Sequence, residues 1–176
     1  MKVYYREEIL LPERINCEIA EQIKVFNDNI KLERKLPQLS ITIQKENNKI
    51  ILFSNKKSRK YKRVLYTTAA HIKNMIRGID KPFIYKLKVC SGHFPMSVKL
   101  EGNSIIISNF LGEKIPRKAL ILPNVKINIS GDVITVESSN LEAVGQTAAN
   151  IEHATKIRKR DRRIFQDGIY ITEKPK

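Results

Sequence analysis

The sequence predicts an α+β fold, a tandem duplication of one small domain in which an antiparallel sheet carries one covering helix. Three observations predict it. "TAAHI" (Thr68–Ile72) nearly recurs as "TAANI" (Thr147–Ile151), at an offset of 79 residues. Each copy follows paired strand-like runs joined by a turn. Each also lies beside a dense positive run, "KKSRKYKR" (Lys56–Arg63) in the first half and "KIRKRDRR" (Lys156–Arg163) in the second.

In the first half, "EIAEQIKVFN" reads as strand, turn and strand. "ITI" (Ile41–Ile43) and "KIILF" (Lys49–Phe53) then flank the Asn-rich "QKENNK" as a hairpin. Leu65, Ala69, Ile72 and Ile76 follow at spacings of 4, 3 and 4, which sets them on one face of a helix. Gly78 is the expected stop, and Pro82 prevents continuation. The second half repeats this order. "KLEGNSIIISN" matches the first strand pair, and "VKINI" (Val125–Ile129) and "VITV" (Val133–Val136) flank a tight "SGD" turn at Gly131. Val144, Ala148, Ile151 and Thr155 take the helix stripe. "SNLE" fits a capping box with Ser139 as cap and Glu142 three residues on. Two repeats cannot make a solenoid. The expected segments are therefore a repeat over 1–80, a second over 81–155, and a basic C-terminal extension over 156–176, with the junction near "GIDKPF" (Gly78–Phe83). All seven glycines lie at or after Gly78, so the early turn "FNDNI" depends on Asn27, Asp28 or Asn29 for any positive φ.

The net charge of the 176 residues is +15, and it is unevenly placed. Residues 56–80 hold 8 basic and 1 acidic residue, and residues 156–176 hold 8 and 3. Dense like charge repels itself, so such segments call for a polyanion. The plain alternative is a solvated face. An acidic membrane surface fits less well, because neither run has the Trp/Phe/Leu-rich face of an interfacial helix. The longest apolar stretch, "ALIL" (Ala119–Leu122), is far short of a membrane span. "MKVYYREEIL" has no apolar signal region, so a cytosolic protein with two reduced, buried thiols (Cys17 and Cys90) is expected.

No cofactor or metal is expected. Neither Gly-rich phosphate motif occurs. "CSGH" (Cys90–His93) has half of a zinc spacing, but no second ligand pair follows it. Ser91 and His93 are too close in sequence to suggest a catalytic pair, and no Asp or Glu stands in an obvious orienting context. His93 is expected to pack beside Phe94 or to make a polar surface contact. The chain is read as a non-enzyme.

The positive tail carries the functional signal. One or two cations suffice to complement a helix C-terminus, and "KIRKRDRR" supplies six in eight residues. Arg forks and Lys heads suit phosphate oxygens. Phe165 and Tyr170 either stack on bases or anchor the segment to its own domain. "QDG" (Gln166–Gly168) turns the chain back, and the apolar "IFQDGIYI" argues for an ordered basic hook rather than a disordered tail. The first run, Lys56, Lys57, Arg59, Lys60, Lys62 and Arg63, sits before the first helix and continues into it. It either contacts phosphate or stays solvated.

"GQTAANIEHATKIRKRDRRIFQDGIYITEKP" resembles the C-terminal signature of the large-subunit ribosomal protein family called L-six (L-nine in eukaryotic numbering), through Arg163, Phe165, Asp167, Gly168, Ile169 and Tyr170. "GHFPMSV" (Gly92–Val98), "NFLGEKIPRK" (Asn109–Lys118) and "HIKNMIRGI" (His71–Ile79) are similar to further family segments, in order along nearly the whole chain. The likeness is strongest to the archaeal form. It implies two tandem copies of one α+β domain. It also implies binding to large-subunit rRNA near the factor-binding region, at the base of the stalk and close to the sarcin–ricin loop. The contacts would come mostly from the second domain and the extension. Carried over, the rRNA-binding residues are Lys156, Arg158, Lys159, Arg160, Arg162, Arg163, Phe165, Gln166, Tyr170 and Lys174, with His93, Lys114, Arg117 and Lys118 of the second domain. Lys56 to Arg63 form a secondary patch. The implied partners are rRNA and neighbouring large-subunit proteins at the stalk base, with no membrane partner and no homo-oligomer. A nucleic-acid enzyme would need metal-binding carboxylates or a nucleotide cradle. A binding module acting outside the ribosome would use the same hook.

Overall fold

The computed structural model describes residues 3–37, 41–46, 48–161 and 163–175. The chain divides into two compact units, 1–81 and 82–176.

The first unit contains β1 (Tyr5–Leu10), β2 (Asn16–Ile19), β3 (Gln22–Phe26), β4 (Lys31–Lys35), β5 (Thr42–Glu46), β6 (Lys49–Ser54) and α1 (Arg59–Asp80). Two three-stranded antiparallel sheets form, in the orders β1-β6-β5 and β2-β3-β4. Alternation buries Ile23 and Val25 on β3, whereas the central β6 buries Ile50, Ile51 and Leu52 in a row. α1 closes the core with Leu65, Ala69, Ile72 and Ile76, the stripe its spacing predicts.

The second unit repeats the plan. It runs through β7 (Phe83–Cys90), β8 (Ser97–Glu101), β9 (Ser104–Ser108), a 3-10 turn (Phe110–Gly112), β10 (Arg117–Leu120), β11 (Lys126–Ser130), β12 (Val133–Ser138), α2 (Leu141–Ala154) and β13 (Gly168–Glu173). Its sheets are β10-β9-β8 and β11-β12-β7-β13. Strand for strand, β11-β12-β7 reproduces β5-β6-β1. The fold is thus α+β and internally duplicated, with Val144, Ala148, Ile151 and Thr155 buried at the positions of the first stripe. The addition is β13, which pairs antiparallel with β7 and so incorporates part of residues 156–176 into this sheet.

Several local expectations are corrected. α1 does not stop at Gly78. It continues to Asp80, and the Lys81 N–H donates to the Arg77 carbonyl, because Gly78 is buried inside the helix rather than left-handed beyond its end. The cap of α2 is Asn140, not Ser139. The Asn140 side-chain oxygen accepts from the N–H groups of Glu142 and Ala143, leaving Glu142 too close for a box. Strand β5 extends through Gln44–Glu46, so the hairpin turn is shorter than "QKENNK". In "FNDNI" no residue takes positive φ. Instead the Asn27 side chain accepts from Asn29 and Ile30. Cys17 is buried as expected, but Cys90 is only half-buried.

Candidate nucleic-acid interface

The second positive run leaves α2 at Thr155. This residue is buried, and its hydroxyl donates to the Glu152 carbonyl (3.2 Å) while accepting from the Ile169 N–H (2.9 Å). One side chain therefore joins the helix end to the start of β13, and the basic hook lies between these two anchors. Inside the hook, Ile157 is buried and points the segment inward. Lys159 takes a left-handed φ of 57°. The Asp161 carboxylate accepts from the Arg163 N–H (2.9 Å), and its carbonyl accepts from Phe165 N–H (2.9 Å), closing a turn. Lys156, Arg158, Lys159, Arg160 and Arg163 all stand exposed. Arg162 lies outside the described residues.

The turn back into the sheet is built around Asp167, which is only 4% exposed. Its carboxylate accepts from the N–H groups of Gly92 and His93 and from His93 Nδ1 at 2.6 Å. Burial alone would raise this carboxyl, but the hydrogen bonds from Gly92 and His93 outweigh it and hold it below the usual carboxylate range. His93 also stacks on Phe165, with ring centroids 4.7 Å apart, and the Arg160 guanidinium covers the same ring at 4.8 Å. The sequence found no acid oriented on His93. The structure supplies Asp167, 74 positions away. Of the two contacts expected for His93, the polar one forms, to Asp167, and the ring stacks on Phe165. A Cβ on Gly92 would sit 3.3 Å from Asp167 Oδ1, so glycine allows the close approach. Tyr170 arches over Gly168 and donates to the Gln166 carbonyl (3.0 Å). Ile169 is buried in the core. The signature from Phe165 to Tyr170 thus shapes the hook from within, and the flanking Lys and Arg side chains face outward.

Arg117 serves the same frame. Its guanidinium donates to both Glu113 carboxylate oxygens (2.7 and 2.5 Å), and to the Ala154 and Lys156 carbonyls (2.9 and 3.2 Å), and lies 4.2 Å over the Phe110 ring. It caps the end of α2 and fixes the first residue of the hook. The Arg117 hydrogen bond holds the Glu113 carboxyl below its usual value, against a smaller upward push from burial. Lys114, Lys118, Gln166 and Lys174 are exposed. Gln166 Nε2 reaches the Arg163 carbonyl only at 3.4 Å.

In the first unit, Ser58 caps α1, and Arg59, Lys60, Lys62 and Arg63 occupy its opening turns, exposed, with no acidic residue in the first turn. Cations at a helix N-terminus oppose its dipole. Lys57 is exposed beside them, and Lys56 lies 5.2 Å over the Tyr61 ring.

Comparison with known proteins identifies the family. The family profile described as Ribosomal protein L6 matches residues 94–168. The chain is 45% identical over 170 residues to the large ribosomal subunit protein uL6 of Methanococcus vannielii, covering 96% of this chain and 93% of that one. It is also 45% identical over 174 residues to uL6 of Sulfurisphaera tokodaii, covering 98% and 94%. With such identity sustained from one end to the other, across both copies of the duplicated unit, the chain belongs to the L6 family of large-subunit ribosomal proteins.

Proposed function

We propose that this protein is a structural, non-catalytic part of the large ribosomal subunit in the cytoplasm, and that it grips large-subunit rRNA chiefly through its second unit and the hook. The site on the subunit is the factor-binding region, at the stalk base and close to the sarcin–ricin loop, beside other large-subunit proteins. One observation carries this reading. Five exposed cations, Lys156, Arg158, Lys159, Arg160 and Arg163, are presented on a turn that is hydrogen-bonded at both ends. A face kept only for solubility needs no such scaffold. Phosphate contacts by these side chains release counterions and dominate affinity, and A-form RNA is met through its backbone and 2′-hydroxyls more than its base edges. Lys114, Lys118 and Lys174 add charge to the same unit. The patch from Lys56 to Arg63 serves a second, weaker contact.

The test is competition for assembly. Arg160→Glu, Arg162→Glu and Arg163→Glu combined should leave the fold intact and lose to the parent protein in incorporation into large subunits, as read by sedimentation. Equal incorporation would remove the hook from the RNA interface.

A further inference from the structure

We propose that a cleft between the last turn of α2 and β13 receives one unstacked base of the bound RNA, and selects a base that carries an exocyclic amino group. This rests on the RNA-binding reading above. The cleft holds about 290 Å³ and is lined by Glu152, His153, Lys156, Phe165, Gln166 and Tyr170, among others. That volume is at the lower end of small-ligand pockets, roughly 300–1,000 Å³, and suits one planar ring system rather than a peptide or a duplex. The lining suits the same guest. Tyr170, 42% exposed, supplies aromatic surface, and Phe165, its ring already held by His93 and Arg160, closes the wall. Unpaired bases are held by stacking on such rings and by hydrogen bonds to their edges.

Charge decides which part of a nucleotide enters. Glu152 is the one carboxylate among the lining residues. Its Oε1 accepts from the Ile171 N–H at 3.2 Å, which fixes the group in place. A carboxylate has lone pairs for further donors. A phosphate pushed inside would meet this negative charge, whereas an amino group would donate to it. Lys156 is exposed and leads directly into the hook. The base therefore enters and its phosphate stays with the cations outside. Adenine, cytosine and guanine offer the amino group, and uracil does not. Gln166, exposed on the lining, presents both a donor and an acceptor to a base edge.

The full-length, 15N-labelled chain is titrated with AMP, CMP, GMP, UMP and inorganic phosphate while the amide signals of Glu152, Lys156, Gln166 and Tyr170 are followed. The three amino-bearing nucleotides should shift all four signals saturably. UMP should bind roughly ten- to a hundredfold more weakly, the value of one hydrogen bond to a charged acceptor. Phosphate should move hook amides and leave Glu152 and Tyr170 still. Glu152→Gln keeps the acceptor for Ile171 and should bring UMP within about twofold of CMP, since the charged acceptor is gone. Phosphate reproducing the nucleotide pattern, UMP equalling CMP in the parent chain, or an unchanged preference in the variant would each overturn the proposal. Co-sedimentation of the parent chain with large-subunit rRNA separates the two readings. Binding to rRNA with a silent cleft sinks the cleft alone, whereas failure to bind rRNA sinks both.

Discussion

Asp167 and His93, 74 positions apart, meet through a 2.6 Å hydrogen bond from His93 Nδ1, and the same carboxylate holds the backbone N–H groups of Gly92 and His93. The contact ties the loop after β7 to the turn before β13. Asp167→Ala should leave two N–H groups without their acceptor and destabilise the second unit by about 1–3 kcal/mol. Urea unfolding measures the loss, and amide exchange should localise it to Gly92 and His93.

Acid should act on the same contact. Because the Asp167 carboxyl is held below its ordinary value, it stabilises the fold above that value, about pH 4, and the contribution disappears as pH falls through the lower folded value. Amide exchange at Gly92 should accelerate in that window in the parent chain. An equally steep acid response in Asp167→Asn would assign the change to another group.

Arg117→Lys tests the frame under the hook. A lysine ammonium cannot serve a bidentate carboxylate and two carbonyls while stacking on Phe110. The expected loss is about 1–2 kcal/mol in thermal or urea unfolding, with secondary structure content retained. A neutral outcome would mean that Arg117 is held by its neighbours rather than holding them.

Salt dependence separates phosphate contacts from scaffold. Lys159→Ala and Arg160→Ala should each reduce the slope of log affinity for large-subunit rRNA against log salt by about 1. Tyr170→Phe, which removes the hydroxyl that donates to the Gln166 and Asp167 carbonyls, should leave the slope unchanged. A binding series from low to moderate salt gives all three slopes.

The opening turn of α1 yields an opposite pair of effects. Lys60→Glu replaces a cation that opposes the helix dipole, so the folded state should gain about 0.3–1 kcal/mol. If the patch meets phosphate, rRNA affinity should fall in the same variant. A gain in stability with unchanged affinity would identify the patch as a solvated face.

The duplication was legible in the recurrence of "TAAHI" as "TAANI", and the two helix stripes were legible because a period near 3.6 marks buried positions wherever it occurs. The paired strands with apolar alternation were legible for a similar reason. β1, β4 and β10 were not, since "YREEIL", "KLERK" and "RKAL" carry charge on solvent-facing sides and give little contrast. Gly78 misled because glycine serves equally as a stop and as a small residue where a helix packs closely. The outward cations of the hook were readable as composition, with Arg162 outside the described residues. What holds them was not. His93, Arg117 and Thr155 find their partners across 74, 37 and 14 positions, and no local pattern records such pairings.

The bond between Thr155 and Ile169 has a thermodynamic consequence. It closes a loop of 14 positions in the isolated protein, with β13 zipped onto β7 behind it. Ordering a backbone costs about 1–2 kcal/mol per residue, and for this segment that entropy is surrendered when the chain folds. Docking then needs little rearrangement, so a preorganised hook should capture its site faster and release it more slowly than the same cations on a slack terminus.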